Sequence, residues 1–191
     1  MKLSHLLILA SILVGLVLMT GCITVEKKEY RFKLNADGTG DGTIRYVNIL
    51  SSDDNGKDVS FKDFAELVTD YLQGMKFEDD YPAFHVTGKK LLEENGLLIG
   101  EVAFTFASFD SVGFLHHAKC DCCPVQYFIN TDKGKETVTE SNGSVVTTVA
   151  PSPFIEWEPK IHDLTLKTTL MDDTTGARSM ISYYRSWKEK K

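Results

Sequence analysis

Glu93-Glu94-Asn95-Gly96-Leu97-Leu98-Ile99-Gly100-Glu101-Val102-Ala103-Phe104-Thr105-Phe106 carries the clearest fold signal in the chain. Asn-Gly between two apolar-patterned runs suits a two-residue hairpin turn, because both central residues of such a turn need positive φ. Beyond the turn, Val102, Phe104 and Phe106 alternate with Glu101, Ala103 and Thr105, the pattern of a strand with one buried face. Residues 84–92 supply the partner strand, and the break at Asp79-Asp80-Tyr81-Pro82 separates it from what precedes.

The same pattern recurs on both sides. Residues 29–34 alternate with Tyr30, Phe32 and Leu34 in phase, and residues 43–50 set Ile44 and Tyr46 against Arg45 and Val47. Between them Asn35-Ala36-Asp37-Gly38-Thr39-Gly40-Asp41-Gly42 supplies the positive-φ residues of a hairpin loop. A calcium loop is the competing reading, but the twelfth position from Asn35 is Tyr46, where an EF-hand needs a bidentate glutamate. Residues 107–117 form a loop with scattered apolar residues (Phe109, Val112, Phe114, Leu115) that either folds onto the core or covers a site. A strand is expected at 125–130. Residues 136–140 and 144–149 read as a hairpin around Ser141-Asn142-Gly143, and their Thr/Val content suits an edge position. After the connector Ala150-Pro151-Ser152-Pro153, strands are expected at 154–157 and 164–170, with a turn at 171–176. Residues 179–188 fit a helix, with Met180, Tyr184 and Trp187 near helical spacing, or a last strand.

One stretch has a different period. Ser60-Phe61-Lys62-Asp63 opens a helix that Ser60 can cap and Asp63 can close from the third position. Phe61, Phe64, Val68, Tyr71, Leu72 and Met75 fall on one stripe, and Gly74 offers an exit. The fold class expected is α+β: a largely antiparallel β-sheet built from hairpins, with one principal amphipathic helix packed on one face. Alternating βαβ order is absent from the pattern, which argues against dinucleotide and P-loop folds.

The amino-terminal stretch is an address. Lys2 is followed by an apolar run from Leu6 to Leu18 and by Met19-Thr20-Gly21-Cys22. At about 1.5 Å per residue that run covers roughly 20 Å of helix, short of the ~30 Å hydrocarbon core. A bulky aliphatic residue, two small residues and a cysteine resemble the lipobox of bacterial lipoproteins. The resemblance implies that residues 1–21 are a cleaved signal peptide and that Cys22 becomes the lipidated amino terminus. With residues 1–21 removed, the remaining length is that of one domain, so residues 22–28 read as the lipidated cysteine with a short charged tether and residues 29–191 as a single α+β envelope domain. Ile23 rather than aspartate after Cys22 implies, in a Gram-negative cell, the outer membrane facing the periplasm. Two or three acyl chains would make the attachment durable, since each buried methylene contributes about 0.8 kcal/mol.

Charge narrows the partners. The chain has 21 Lys+Arg against 27 Asp+Glu, a formal net charge of −6, and its signal segment holds only Lys2. Nucleic acid is therefore not expected as a partner, because phosphate backbones are met by basic patches and the only such run is Lys188-Glu189-Lys190-Lys191. The expected partners are the membrane, through lipid on Cys22, and another envelope protein or envelope component.

His116-His117-Ala118-Lys119-Cys120-Asp121-Cys122-Cys123-Pro124 gathers every cysteine after Cys22 beside two histidines. Cys120 and Cys123 have the Cys-x-x-Cys spacing of a disulfide suited to an oxidising compartment. Alternatively Cys120, Cys122 and Cys123 with His116 or His117 make a Cys₃His set for Zn(II) or Cu(I). Thiol exchange and inert buried thiols complete the alternatives. No Gly-x-Ser-x-Gly elbow, His-Glu-x-x-His or phosphate loop is present, and His85 and His162 stand alone. The reading is a membrane-anchored envelope lipoprotein that binds or scaffolds, with no catalytic residue assigned. Metal handling or sensing by the cysteine-histidine cluster comes second. An envelope hydrolase comes third, since two catalytic acids can come from anywhere in a chain.

Overall fold

A computed structural model of the chain describes residues 23–115, 120, 122–128, 136–147 and 154–190. The first two strands, β1 (Ile23–Leu34) and β2 (Gly40–Ser52), are antiparallel neighbours in register from Ile23↔Ser51 to Leu34↔Gly40. Their loop closes as the glycine-rich segment requires: Gly38 has φ 88°, and Asp37 Oδ1 accepts from the Thr39 amide and hydroxyl. The expected tether is instead strand. Ile23, Thr24 and Val25 are β-branched, and β2 is long enough to pair with them, so the ladder runs to the first described residue.

The chain then enters the helical layer through α1 (Ser60–Glu66), which continues without a break as a π-helix over Leu67–Gln73. A short α2 (Lys76–Asp80) follows. The capping differs from expectation. Asp58 Oδ1 accepts from the Ser60 amide at 3.0 Å, and Ser60 itself is the first helical residue. Asp63 does not reach back; its buried carboxylate accepts from Ser51 Oγ of β2 at 2.6 Å and so ties the helix to the sheet. The stripe is also narrower than its spacing suggests. Phe64, Leu67 and Val68 are buried, whereas Phe61 is 70% exposed in the first turn of α1 and Met75 62% exposed beyond the π-helix.

Next come β3 (His85–Glu94) and β4 (Leu97–Phe106), joined by Asn95 and Gly96 at φ 52° and 78°, the left-handed pair their sequence requires. A 3₁₀ turn at Asp110–Val112 leads into β5 (Phe114–Leu115), followed by β6 (Val125–Phe128), β7 (Thr137–Ser141), β8 (Ser144–Val146), β9 (Phe154–Trp157), β10 (Asp163–Thr169), β11 (Ala177–Ser179) and α3 (Ile181–Lys188). The main sheet has the order β3-β4-β2-β1-β10-β7, with β11 also paired to β2, and the second has the order β5-β6-β9-β8. Every pairing is antiparallel. The protein is thus mostly antiparallel sheet with few helices, in keeping with the expected class.

Two expectations change in detail. The Ser141-Asn142-Gly143 turn does not join a hairpin: β7 pairs with β10 in the main sheet, and β8 pairs with β9 in the second. The turn is a corner between sheets, pinned because Asn142 Oδ1 accepts from Trp157 Nε1 at 2.7 Å and from the Thr165 amide at 2.8 Å. Gly143 is obligatory there, since a Cβ would come within 2.8 Å of Glu156 O and Ile155 Cγ2. The carboxyl-terminal segment takes the helical of its two expected forms, and it joins α1 and α2 in the helical layer. Tyr183 and Trp187 of α3 meet Phe64 of α1, and the Tyr184 hydroxyl donates to Leu91 O at 3.1 Å.

One face of the main sheet carries both large apolar clusters of the core. Tyr30, Phe32, Leu34, Ile44, Val102, Phe104, Phe106, Leu164 and Leu166 point to it, and the opposite face carries cross-strand ion pairs such as Arg45 with Glu29 and Glu101. Over one half of this face the second sheet lays Phe114, Val125, Ile155 and Trp157. Over the other half lie the helices, with Phe64, Leu67, Val68, Met180 and Tyr184 against Ile49 and Leu98. Ile49 reaches the same face as Tyr46, three residues before it, because Asn48 takes φ 59° and breaks the strand alternation.

Candidate functional site

Between the two halves of the covered face lies a cavity of about 380 Å³. Its floor is a transverse row of the sheet: Lys28 of β1, Tyr46 of β2, Gly100 of β4 and Leu91 of β3 are successive cross-strand neighbours. Its roof is Leu67, Tyr71 and Leu72 of the π-helix with Phe77 and Tyr81 at the end of α2. Ile23 and Val25, at the start of β1, line one side. Gly100 helps make the space: where neighbouring inward positions carry Leu98 and Val102, it places no side chain on the floor. The roof over this space is π-helical, and such segments recur at functional sites.

The end of the π-helix is fixed by a lysine from below. Lys89 Nζ donates to Gly74 O at 2.5 Å and to both Glu78 carboxylate oxygens at 2.9 and 3.0 Å, joining β3 to the helix terminus and to α2. A cation there also complements the carbonyl end of the helix. Among the polar groups lining the cavity, the Tyr46 hydroxyl makes no hydrogen bond to a described residue. Burial, and then the neighbouring Tyr81 phenol and Glu136 charge, push its pKa well up, so it stays a neutral hydrogen-bond donor.

Lys28 links the cavity to a polar cluster in the core. Its Nζ donates to Glu136 Oε2 at 3.3 Å, while Tyr30 Oη and Thr168 Oγ1 donate to Glu136 Oε1 at 2.7 and 2.5 Å. The Lys28 and Glu136 side chains are 16% and 9% exposed, so this is an ion pair held away from bulk water and completed by two hydroxyls. Burial, followed by the Glu136 charge, raises the Tyr30 pKa far above its ordinary value, so its proton stays in place as the donor.

The cysteine cluster lies apart, between β5 and β6. The sulfurs of Cys120 and Cys123 are bonded at 2.15 Å with a Cα–Cα distance of 5.3 Å, and the Cys123 amide donates to Cys120 O across the turn. Cys122 is free and exposed, with Sγ 3.2 Å from Cys120 Sγ. The three sulfurs lie within 4.8 Å of one another. His116 and His117, named as imidazole ligands, and Cys22, named as the lipidation site, lie outside the described residues. His85 is an exposed residue at the start of β3, paired with Thr105.

The cavity and the Glu136 cluster escape motif reading, but strand phase contains a signal for both. Lys28 is in phase with Tyr30, Phe32 and Leu34, and Thr168 with Leu164 and Leu166, so each is a polar residue at an inward position. No protein-family model matches the chain, and neither a curated protein nor a solved structure is detectably similar to it. Among the described residues no helix is long and apolar enough to cross a membrane.

Proposed function

We propose that the protein is a lipid-anchored bacterial envelope lipoprotein with a single domain, and that it binds a small amphipathic ligand in the cavity beneath the π-helix without turning it over. The observation that carries this is the cavity itself. Its volume of about 380 Å³ falls within the range of small-molecule sites, roughly 300–1,000 Å³, and its mostly apolar walls include the Tyr46 hydroxyl, which makes no hydrogen bond to a described residue. In this reading α1 and its π continuation are the principal helix covering the ligand face. The address rests on Met19-Thr20-Gly21-Cys22 and, for a Gram-negative cell, on Ile23, which gives the outer membrane facing the periplasm. Because Ile23 is already strand and lines the cavity, a lipid on Cys22 would hold the site at the membrane surface with no intervening tether. Another envelope component then supplies or receives the ligand.

The test is binding of N-phenyl-1-naphthylamine, a neutral apolar fluorophore, to wild type and to Gly100→Val. A Cβ at Gly100 would come 3.0 Å from the flexible end of Ile49, Cδ1, and into ordinary contact with Leu91 Cδ2 at 3.7 Å and Tyr46 Cβ at 3.9 Å, and β-branched residues suit strands. The variant therefore fills the floor while leaving the sheet intact. Saturable binding in wild type, weakened about ten-fold or more in the variant at equal thermal stability, is expected, a loss of about 1.4 kcal/mol. Absence of saturable binding, or equal binding by both proteins, overturns the reading.

The grouping of the three sulfurs supports a second reading, metal handling or sensing. Reduced Cys120, Cys122 and Cys123 would offer thiolates to Zn(II) or Cu(I), with His116 or His117 as the sequence-adjacent fourth ligand. One equivalent of metal retained by the reduced protein, and lost on substitution of all three cysteines by serine, supports it. No retained metal removes it.

A further inference from the structure

We propose that Cys120, Cys122 and Cys123 form a thiol–disulfide exchange site in which one disulfide and one thiol change places, and which takes a small-molecule disulfide as substrate. The inference goes beyond the ligand-binding reading and rests on different residues. Cys120 is bonded to Cys123, and the remaining thiol, Cys122, is exposed with its sulfur 3.2 Å from Cys120 Sγ. Nucleophile and target sulfur are already in contact, held in one short turn by the Cys123 amide bonded to Cys120 O at 3.1 Å. Such proximity replaces a bimolecular encounter by an internal one.

Exchange proceeds by attack of a thiolate on a disulfide sulfur. Here the Cys122 thiolate attacks Cys120 Sγ. The Cys122–Cys120 bond forms, the Cys120–Cys123 bond breaks, and Cys123 leaves as a thiolate that takes up the proton Cys122 gave to water. No net oxidation occurs and no oxidant is needed. The cluster always keeps one disulfide, and its thiol moves between Cys122 and Cys123. An external disulfide R–S–S–R then meets a thiolate at either position, giving a protein–S–S–R mixed disulfide and releasing R–S⁻. With the disulfide closed, one thiolate remains, too few for the Cys₃His set; the metal reading concerns the fully reduced form.

The full chain, purified without reductant, is incubated with oxidised glutathione at pH 8, quenched with acid, and its adduct located by tandem mass spectrometry. One glutathione per chain is expected, divided between Cys122 and Cys123. In C122S the thiol is gone and the adduct is lost. In C123S the disulfide is expected between Cys120 and Cys122, with no free thiol. An adduct confined to Cys122 in wild type, no adduct at all, or two free thiols in C123S would each overturn the proposal. C122S retains the Cys120–Cys123 bond and so separates loss of exchange from loss of folding.

Discussion

Glu136→Ala is expected to lower the unfolding free energy by about 3–5 kcal/mol, the range seen when one partner of a buried ion pair is removed. The loss is large because three donors converge on this carboxylate. Lys28 Nζ, Tyr30 Oη and Thr168 Oγ1 would all be left without their acceptor, on strands that form the centre of the sheet. Glu136→Gln keeps a carbonyl oxygen for the two hydroxyls and loses the charge opposite Lys28, so its cost should be smaller, about 1–2 kcal/mol. Urea unfolding with an unchanged m-value measures both. Equal and small effects of the two substitutions would show that the cluster is solvated. Lys28 also lines the cavity, so Glu136→Ala should weaken binding of the fluorophore as well.

The second large effect belongs to Phe114→Ala, expected to cost about 3–5 kcal/mol by transfer and cavity terms together. Phe114 is fully buried where the two sheets meet, with ring centroids 4.9 Å from Phe32, 5.0 Å from Tyr127 and 6.3 Å from Trp157. Its neighbour Leu115 is 52% exposed and serves as the control, with an expected change within about 0.5 kcal/mol. Comparable midpoints for the two variants would show that the second sheet does not depend on this contact.

These two positions illustrate what sequence could and could not reveal. Local signals read well. Asn95-Gly96 and the loop after Leu34 specify their turns through positive φ, and the strands around them follow from alternation. Whatever depends on distant partners reads poorly. Ser141-Asn142-Gly143 has the composition of a hairpin turn, yet Trp157 and Thr165, both remote in sequence, make it a corner by claiming the Asn142 side chain. The strand character of Ile23 to Lys28 was hidden by the charged run Glu26-Lys27-Lys28 and depends on the length of β2. The π turn has no composition of its own, and the stripe drawn through Phe61 and Met75 at α-helical spacing overstates the buried face, since both of its ends are exposed. The Cys-x-x-Cys spacing was legible; the approach of Cys122 to Cys120 needed the fold of the turn.

The site was partly visible in hindsight of phase alone. A lysine, a threonine and a glycine at inward positions of otherwise apolar strands mark, in turn, Lys28, Thr168 and Gly100. Glu136 itself sits just before β7 in a polar stretch, where nothing local distinguishes an inward carboxylate from a solvated one. Its role follows from the pairing of β7 with β10, which brings it beside Thr168.

Native mass spectrometry of the full-length gene product, extracted from its own envelope in mild detergent, tests the account most directly. The expected result is a chain beginning at Cys22 with a covalent lipid increment, carrying an additional non-covalent amphiphile that is released on denaturation and missing from Gly100→Val. A chain without the lipid increment, or a lipidated chain that carries no releasable ligand, would contradict it.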